Sequence, residues 1–158
     1  MLAAVEWLSR WCARATMVAV LALGILLVVC LLISIFFRYV VGQALSWPEE
    51  LSMLLFTWLV LLASSLGVRE GFHVRLSILF ERLPSPIRKV LARLITLAIT
   101  AFGAILIYSG RDLAIRAAGH LSATIGYPLE IINYAAFVCG VLIVVHGLSC
   151  LLSSEKEG

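Results

Sequence analysis

Charge is scarce in this sequence: Asp, Glu, Lys and Arg together make up 13% of its 158 residues, where soluble domains carry about a quarter. With 63% of residues hydrophobic, a water-soluble fold of this length could not hide its apolar surface in one core, so lipid must be part of the solvent. Mean hydropathy, at +1.10, says the same. Cysteine is also sparse, and Cys12, Cys30, Cys139 and Cys150 form no C-x-x-C pair. That excludes a metal knuckle or dithiol motif and leaves them as small apolar residues facing lipid or a neighbouring helix. Proline is missing from the interior of every long apolar run, since Pro48, Pro84, Pro86 and Pro128 all fall in loops or at helix starts. Broken helices with unwound backbone mark the binding sites of many secondary transporters; their sequence signs, and any visible inverted repeat, are lacking. The net charge of +3 comes with no basic stripe interleaved with aromatics, so nothing points to nucleic acid.

Long apolar runs are what the sequence does have. A spanning helix needs about 17–25 such residues to cross roughly 30 Å of hydrocarbon. Four runs qualify, at about 15–37, 51–68, 90–110 and 131–153; Arg93 lies one turn into the third, where it can snorkel to the headgroups. The expected fold is therefore all-α, an integral membrane four-helix protein forming a single membrane domain over 1–158. The first run is longer than the apolar core of a cleaved leader and no A-x-A site follows it, so it reads as an uncleaved signal anchor. Ahead of it, residues 1–14 place Val5, Leu8, Cys12 and Ala15 on one face and Glu6, Ser9 and Arg10 opposite, with Trp7 and Trp11 at the boundary. That pattern predicts an amphipathic helix lying in the interface, or else a plain extension of the first span.

Orientation follows from Lys and Arg in the short loops. Arg10, Arg14, Arg69, Arg75, Arg82, Arg88, Lys89, Arg93 and Lys156 fall on one side, against Arg38, Arg111 and Arg116 on the other. The bias predicts an N-in, C-in protein, with the Trp47-Pro48-Glu49-Glu50 turn facing outward.

Ionisable groups inside spans are the default functional candidates in membrane proteins. Here no span has an acidic residue at its centre, and Glu130 stands at the outer end of the fourth. His146 is the titratable group in that span, with a hydrogen bond to a neighbouring helix as its simplest role. A bis-histidine haem would need a mate at the same depth, and His73 is the one conceivable choice, because His120 lies on the opposite side. Small residues suited to close helix packing are expected in three places: Thr96, Thr100 and Ala104; Ala136 and Gly140; and Ala63, Ser64 and Gly67. Gly24, Gly103 and Gly140 stand singly within spans.

The stretch from Arg38 to Pro84 carries the most specific pattern: Arg38-Tyr39, Ser46-Trp47-Pro48-Glu49-Glu50, Trp58, Gly67-Val68-Arg69-Glu70-Gly71-Phe72-His73-Val74 and Leu83-Pro84. It resembles the small membrane subunit, the DctQ type, of tripartite ATP-independent periplasmic (TRAP) transporters. That family shows an Arg-aromatic end to helix one, a W-x-E-E start to helix two with a Trp inside it, a G-x-x-x-R-x-G-x-H-like turn and a Leu-Pro before helix three. The Gly-to-Arg spacing is shorter here, while Arg69-Glu70-Gly71-Phe72-His73 fits. Residue chemistry supplies its own account of the turn. Glu49 and Glu50 suit the positive end of a helix dipole, and either could pair with Arg38. Pro48 sits in a first turn, where its missing N–H costs little, and Trp47 is an interfacial anchor. Arg69 could meet a lipid phosphate or a partner's carboxylate.

The resemblance implies a small permease subunit in the bacterial inner membrane, not an enzyme. It would serve sodium-coupled uptake of an organic acid delivered by a periplasmic substrate-binding protein. It also implies that a large multi-span permease subunit holds the substrate and sodium sites, so that this subunit carries no cofactor and acts as a scaffold among membrane lipids. Arg38, Trp47, Glu49, Glu50, Trp58, Arg69, Gly71 and His73 are the candidate interface or structural residues. Two other readings stay open: a haem- or quinone-linked membrane anchor of a respiratory enzyme, and the small subunit of a tripartite tricarboxylate transporter.

Overall fold

A computed structural model describes residues 2–69 and 85–154. It contains four long helices: α1 (Leu2–Phe36), α2 (Trp47–Arg69), α3 (Ser85–Ala117) and α4 (Glu130–Ser154). Among the described residues all four are long and apolar enough to cross a membrane, and the one extended feature is an isolated bridge between Leu121 and Pro128. The protein is thus an all-α, four-helix membrane protein. Hydrocarbon offers no hydrogen-bond partners, so a chain this apolar closes its backbone bonds within helices.

The helix ends follow local chemistry. α1 widens into a π-helical turn, Phe37–Val41, and stops at Gly42, whose φ of 73° is left-handed. A glycine adopts that conformation without a Cβ clash. The Gly42 N–H returns to the Phe37 carbonyl, which the Gln43 N–H also reaches at 3.1 Å. α2 begins on Trp47-Pro48-Glu49-Glu50, with proline and both carboxylates in its first turn.

At 1.5 Å per residue, α2 and α4 are about 35–38 Å long and close to a bilayer's thickness, whereas α1 and α3 reach about 50 Å. The spatial order is α1, α2, α4, α3: α1 packs on α2, α2 on α4 and α4 on α3, with a smaller contact between α1 and α4. α3 is held chiefly by α4. An apolar groove of about 360 Å³ therefore remains between α2 and α3, floored by Ile143.

Small and polar residues take a large share of the interior. The buried positions include Ser9, Ala13, Thr16, Cys30, Ser65, Ala114, Ala135, Cys139 and His146 beside Leu55, Leu62, Val68 and Ile143, while Leu21, Ile25, Leu32, Phe56, Leu97 and Ile105 face outward. Between helices in lipid no hydrophobic force selects large side chains for the interior, so close backbone approach and interhelical hydrogen bonds decide. The α3–α4 seam shows this most clearly. A Cβ on Gly110 would lie 2.6 Å from the Phe137 backbone nitrogen, and one on Gly140 would lie 2.7 Å from the Gly103 carbonyl oxygen. Gly103 and Gly140 face each other across the seam, Gly110 lies against the backbone of Ala136 and Phe137, and Gly147 abuts Thr100.

Residues 2–14 continue into the first span, the second of the two readings the sequence left open: α1 runs unbroken from Leu2. Its inward face there is Ser9, Ala13 and Thr16, while Ala15 is exposed and Cys12 half-buried. α4 lies beside this segment, and small and hydroxyl side chains admit it more closely than branched apolar ones. The small-residue stripes shift. Thr100 and Gly140 do lie in the seam, but Ala104 and Ser64 are exposed and no atom would meet a Cβ on Gly67 within 4 Å.

Candidate functional site

The end of the bundle where α2 starts gathers much of the polar chemistry, and it is built on the first turn of that helix. Pro48 is fully buried, and its carbonyl oxygen accepts the Cys30 thiol of α1 at 3.4 Å. The Ser52 hydroxyl in turn donates to the Cys30 sulfur at 3.5 Å. These contacts set the depth of α2 against α1 and so fix where the two following carboxylates stand.

Glu49 and Glu50 then diverge. Glu49 accepts the Arg38 guanidinium at 2.6 Å, an ion pair more than half exposed on both sides. Of the two pairings the sequence allows for Arg38, Glu49 makes it. Glu50 turns toward the α3–α4 connector. Its Oε2 accepts the Ser122 hydroxyl at 2.7 Å and the Ile125 N–H at 3.0 Å, and its Oε1 accepts the Thr124 N–H at 3.0 Å. The connector is itself shaped for this. The Ser122 N–H donates to the Tyr127 carbonyl and the Leu129 N–H to the His120 carbonyl, each at 2.9 Å, so the segment doubles back and presents successive amides to one anion. Burial, and secondarily the charge of Glu50, pushes the Tyr127 phenol above its ordinary value of 10.0. Glu50 is thereby engaged on both oxygens, whereas Glu49 remains open to solvent or a partner.

Below this turn Trp58 donates its indole N–H to the Ile131 carbonyl of α4 at 3.1 Å, and Cys139 donates to the Leu61 carbonyl of α2 at 3.0 Å. Both stitch α2 to α4. At the opposite end, the Ser9 hydroxyl lies 2.9 Å from Nδ1 of His146, joining α1 to α4; Ser9 is 2% exposed and His146 0%. The simplest expectation for His146, a hydrogen bond between helices, is thus what the structure contains. Trp47 is about one-third exposed.

Of the residues singled out in the sequence, the fold brings Arg38, Glu49, Glu50 and Trp47 to one end of the bundle and places Trp58 under them. Arg69 is the last residue of α2. Gly71 and His73 lie outside the described residues. Sequence reasoning missed Ser122, Thr124 and Ile125, which take Glu50; their one local sign is a short polar S-x-T flanked by Gly119 and Gly126. It also missed Ser9. Among the described residues, no group of His, Cys, Asp and Glu is placed to hold a metal ion. The arrangement can clamp a loop, join helices and offer an exposed ion pair.

Comparison with known proteins bears on this geometry. Residues 27–156 match the family model described as tripartite ATP-independent periplasmic transporters, DctQ component. A sialic acid TRAP transporter small permease protein, SiaQ, of Vibrio cholerae is 28% identical over 120 residues, covering 75% of this chain and 69% of the relative. A putative TRAP transporter small permease protein of Haemophilus influenzae is 27% identical over 138 residues, covering 85% of each chain. A C4-dicarboxylate TRAP transporter small permease protein, DctQ, also of Vibrio cholerae, is 28% identical over 74 residues. That match spans about half of this chain and a third of the relative.

Proposed function

This chain belongs to the DctQ component family of tripartite ATP-independent periplasmic transporters, and from that membership as a small permease subunit we propose that it braces a large permease subunit during uptake of an organic acid. The solute is handed over by a periplasmic binding protein. The chain lies in the bacterial inner membrane with both termini in the cytoplasm, and the sodium gradient acts on the large subunit. This chain itself neither binds substrate nor performs a chemical reaction.

The observation that carries the bracing role is where its polar groups are used. Within the described spans, four polar contacts join one helix to another: Ser9 to His146, Cys30 to the Pro48 carbonyl, Trp58 to the Ile131 carbonyl, Cys139 to the Leu61 carbonyl, while Thr57, Ser65, Thr96 and Thr100 bond back to carbonyls of their own helices. A transport path through hydrocarbon needs polar groups facing a cavity, whereas the first four face neighbouring helices. A rigid frame that leaves large apolar residues outward suits a subunit held against another membrane protein. The acid character of the solute is supported by two relatives, whose names specify sialic acid and C4-dicarboxylates.

Uptake by proteoliposomes tests the reading. Vesicles holding this chain alone should take up no solute when supplied with binding protein and a sodium gradient, while vesicles that also hold the large subunit should. Transport by this chain alone, or full transport by the large subunit without it, overturns the bracing role.

A further inference from the structure

The inner half of α1 presents a face that the bracing role does not explain. Trp7 and Trp11 are one turn apart, with ring centroids 5.9 Å apart and planes at 54°, and both are more than half exposed. Arg14 lies one turn further along the same face and is exposed, and Arg10 flanks it, also exposed. Beyond Arg14 the stripe continues as Val18, Leu21 and Ile25, all strongly exposed and all apolar. Helical spacing of three and four residues keeps these positions in one line. The opposite side of the helix is Ser9, Ala13 and Thr16, buried and tied to α4 through His146. The face is therefore held in a set orientation, and its chemistry changes abruptly at one level.

We propose that this face is a binding site for the headgroups of anionic phospholipids, with Trp7 and Trp11 seated among the headgroups, Arg14 and Arg10 meeting the lipid phosphate, and acyl chains lying along Val18, Leu21 and Ile25. Two chemical features choose lipid over another protein helix. Tryptophan pairs an apolar ring with one donor and prefers the headgroup level of a bilayer. A guanidinium matches a phosphate with a forked pair of donors. Neither feature is needed where one apolar helix packs on another, and at that depth a buried cation would be costly. The transition from arginine to unbroken apolar residues at Arg14 sets the hydrocarbon boundary on α1, and Ser9, which holds His146, lies about 7.5 Å from that level toward the N-terminus. Anionic lipid on the cytoplasmic side attracts basic residues next to the membrane. The lipid site does not depend on which solute the transporter carries.

Quenching of tryptophan emission by brominated lipid tests this in the full chain reconstituted in phosphatidylcholine bilayers. Brominated phosphatidylglycerol and brominated phosphatidylcholine are added at equal mole fraction. The signal of Trp7 and Trp11 is taken as the difference between the unaltered chain and Trp7→Phe/Trp11→Phe. Anionic lipid should be enriched beside these two residues on the order of fivefold per arginine, read as stronger quenching by the phosphatidylglycerol. The preference should vanish in Arg10→Gln/Arg14→Gln and should collapse in the unaltered chain at 1 M salt, where the screening length is about 3 Å. The salt titration leaves both arginines in place and needs only the Trp7→Phe/Trp11→Phe reference to fold. Equal quenching by the two lipids, quenching by neither, or a preference that survives both the arginine substitutions and high salt overturns the proposal.

Discussion

Glu50 and Ser122 lie 72 residues apart in sequence and 2.7 Å apart in space. Through that contact the first turn of α2 holds the connector that leads into α4. The two backbone N–H groups of Thr124 and Ile125 close on the same carboxylate, so one side chain orders a loop that has little hydrophobic packing of its own. Five consequences can be measured.

Glu50→Gln keeps the size of the side chain but replaces one acceptor oxygen with a donor, which cannot receive an N–H. Either Thr124 or the Ser122–Ile125 side loses its partner. Amide exchange at Thr124 and Ile125 should quicken while exchange in α4 stays slow, because the clamp acts locally. Unchanged exchange at both amides would mean that the loop orders itself without Glu50.

Glu49→Gln removes an ion pair that is largely in solvent, so its effect on stability should stay below about 1 kcal/mol. Uptake by the assembled complex is the informative reading. A large fall in uptake with normal thermal stability assigns Glu49 to a contact with another component. Normal uptake leaves it a favourable charge at a helix start.

Tyr127 reports on the same cluster from its other side. Burial is the larger cause of its raised pKa and Glu50 the smaller, so its phenol should titrate above 10.0 in ultraviolet difference spectra. The folded loop holds this proton more tightly than the unfolded chain. Its contribution is therefore complete below the unfolded value and declines as pH rises through the folded one. Glu50→Gln should bring the titration part of the way back, and a full return would make charge, not burial, the main cause.

Gly110→Ala and Gly140→Ala each force a methyl group against backbone of the facing helix, which has no flexible tip to move aside. Overpacking of this kind costs about 1–3 kcal/mol, visible as earlier thermal unfolding in detergent. Gly67→Ala is the matched control. Its Cβ would meet nothing within 4 Å, and helix propensity alone predicts a gain of about 1 kcal/mol at most. Equal effects at all three positions would remove the seam as the explanation.

Ser9→Ala breaks the one hydrogen bond described here between α1 and α4. Such bonds between membrane helices average about 0.6 kcal/mol and reach about 1.7, and a double-mutant cycle with His146→Leu should return a coupling in that range. A coupling near zero would leave shape alone holding the N-terminal end of α1.

Much of the fold was legible before any coordinates. Apolar runs without charge can only be spanning helices, because hydrocarbon leaves the backbone no other way to close its hydrogen bonds. Pro48, Glu49 and Glu50 marked a helix start by dipole and dihedral logic. The pattern from Arg38 to Pro84 pointed to the family to which residues 27–156 were matched.

What only tertiary structure decided was which face of each helix turns inward and what each polar residue meets. In water the buried face would be the apolar one, and its period could be read directly. In lipid the apolar residues lie on nearly every face, and packing is chosen by small size and hydrogen bonding, which leave no such period. Thr96, Thr100 and Ala104 therefore looked as good a stripe as Gly103, Gly110 and Ala114, and Ser9 looked solvent-facing although it is buried on His146. The two adjacent carboxylates of the α2 turn were indistinguishable in sequence, each fit to face Arg38. A rotation of 100° about the helix axis separates them, sending Glu49 to Arg38 and Glu50 to a loop that the chain reaches only after two more crossings of the membrane.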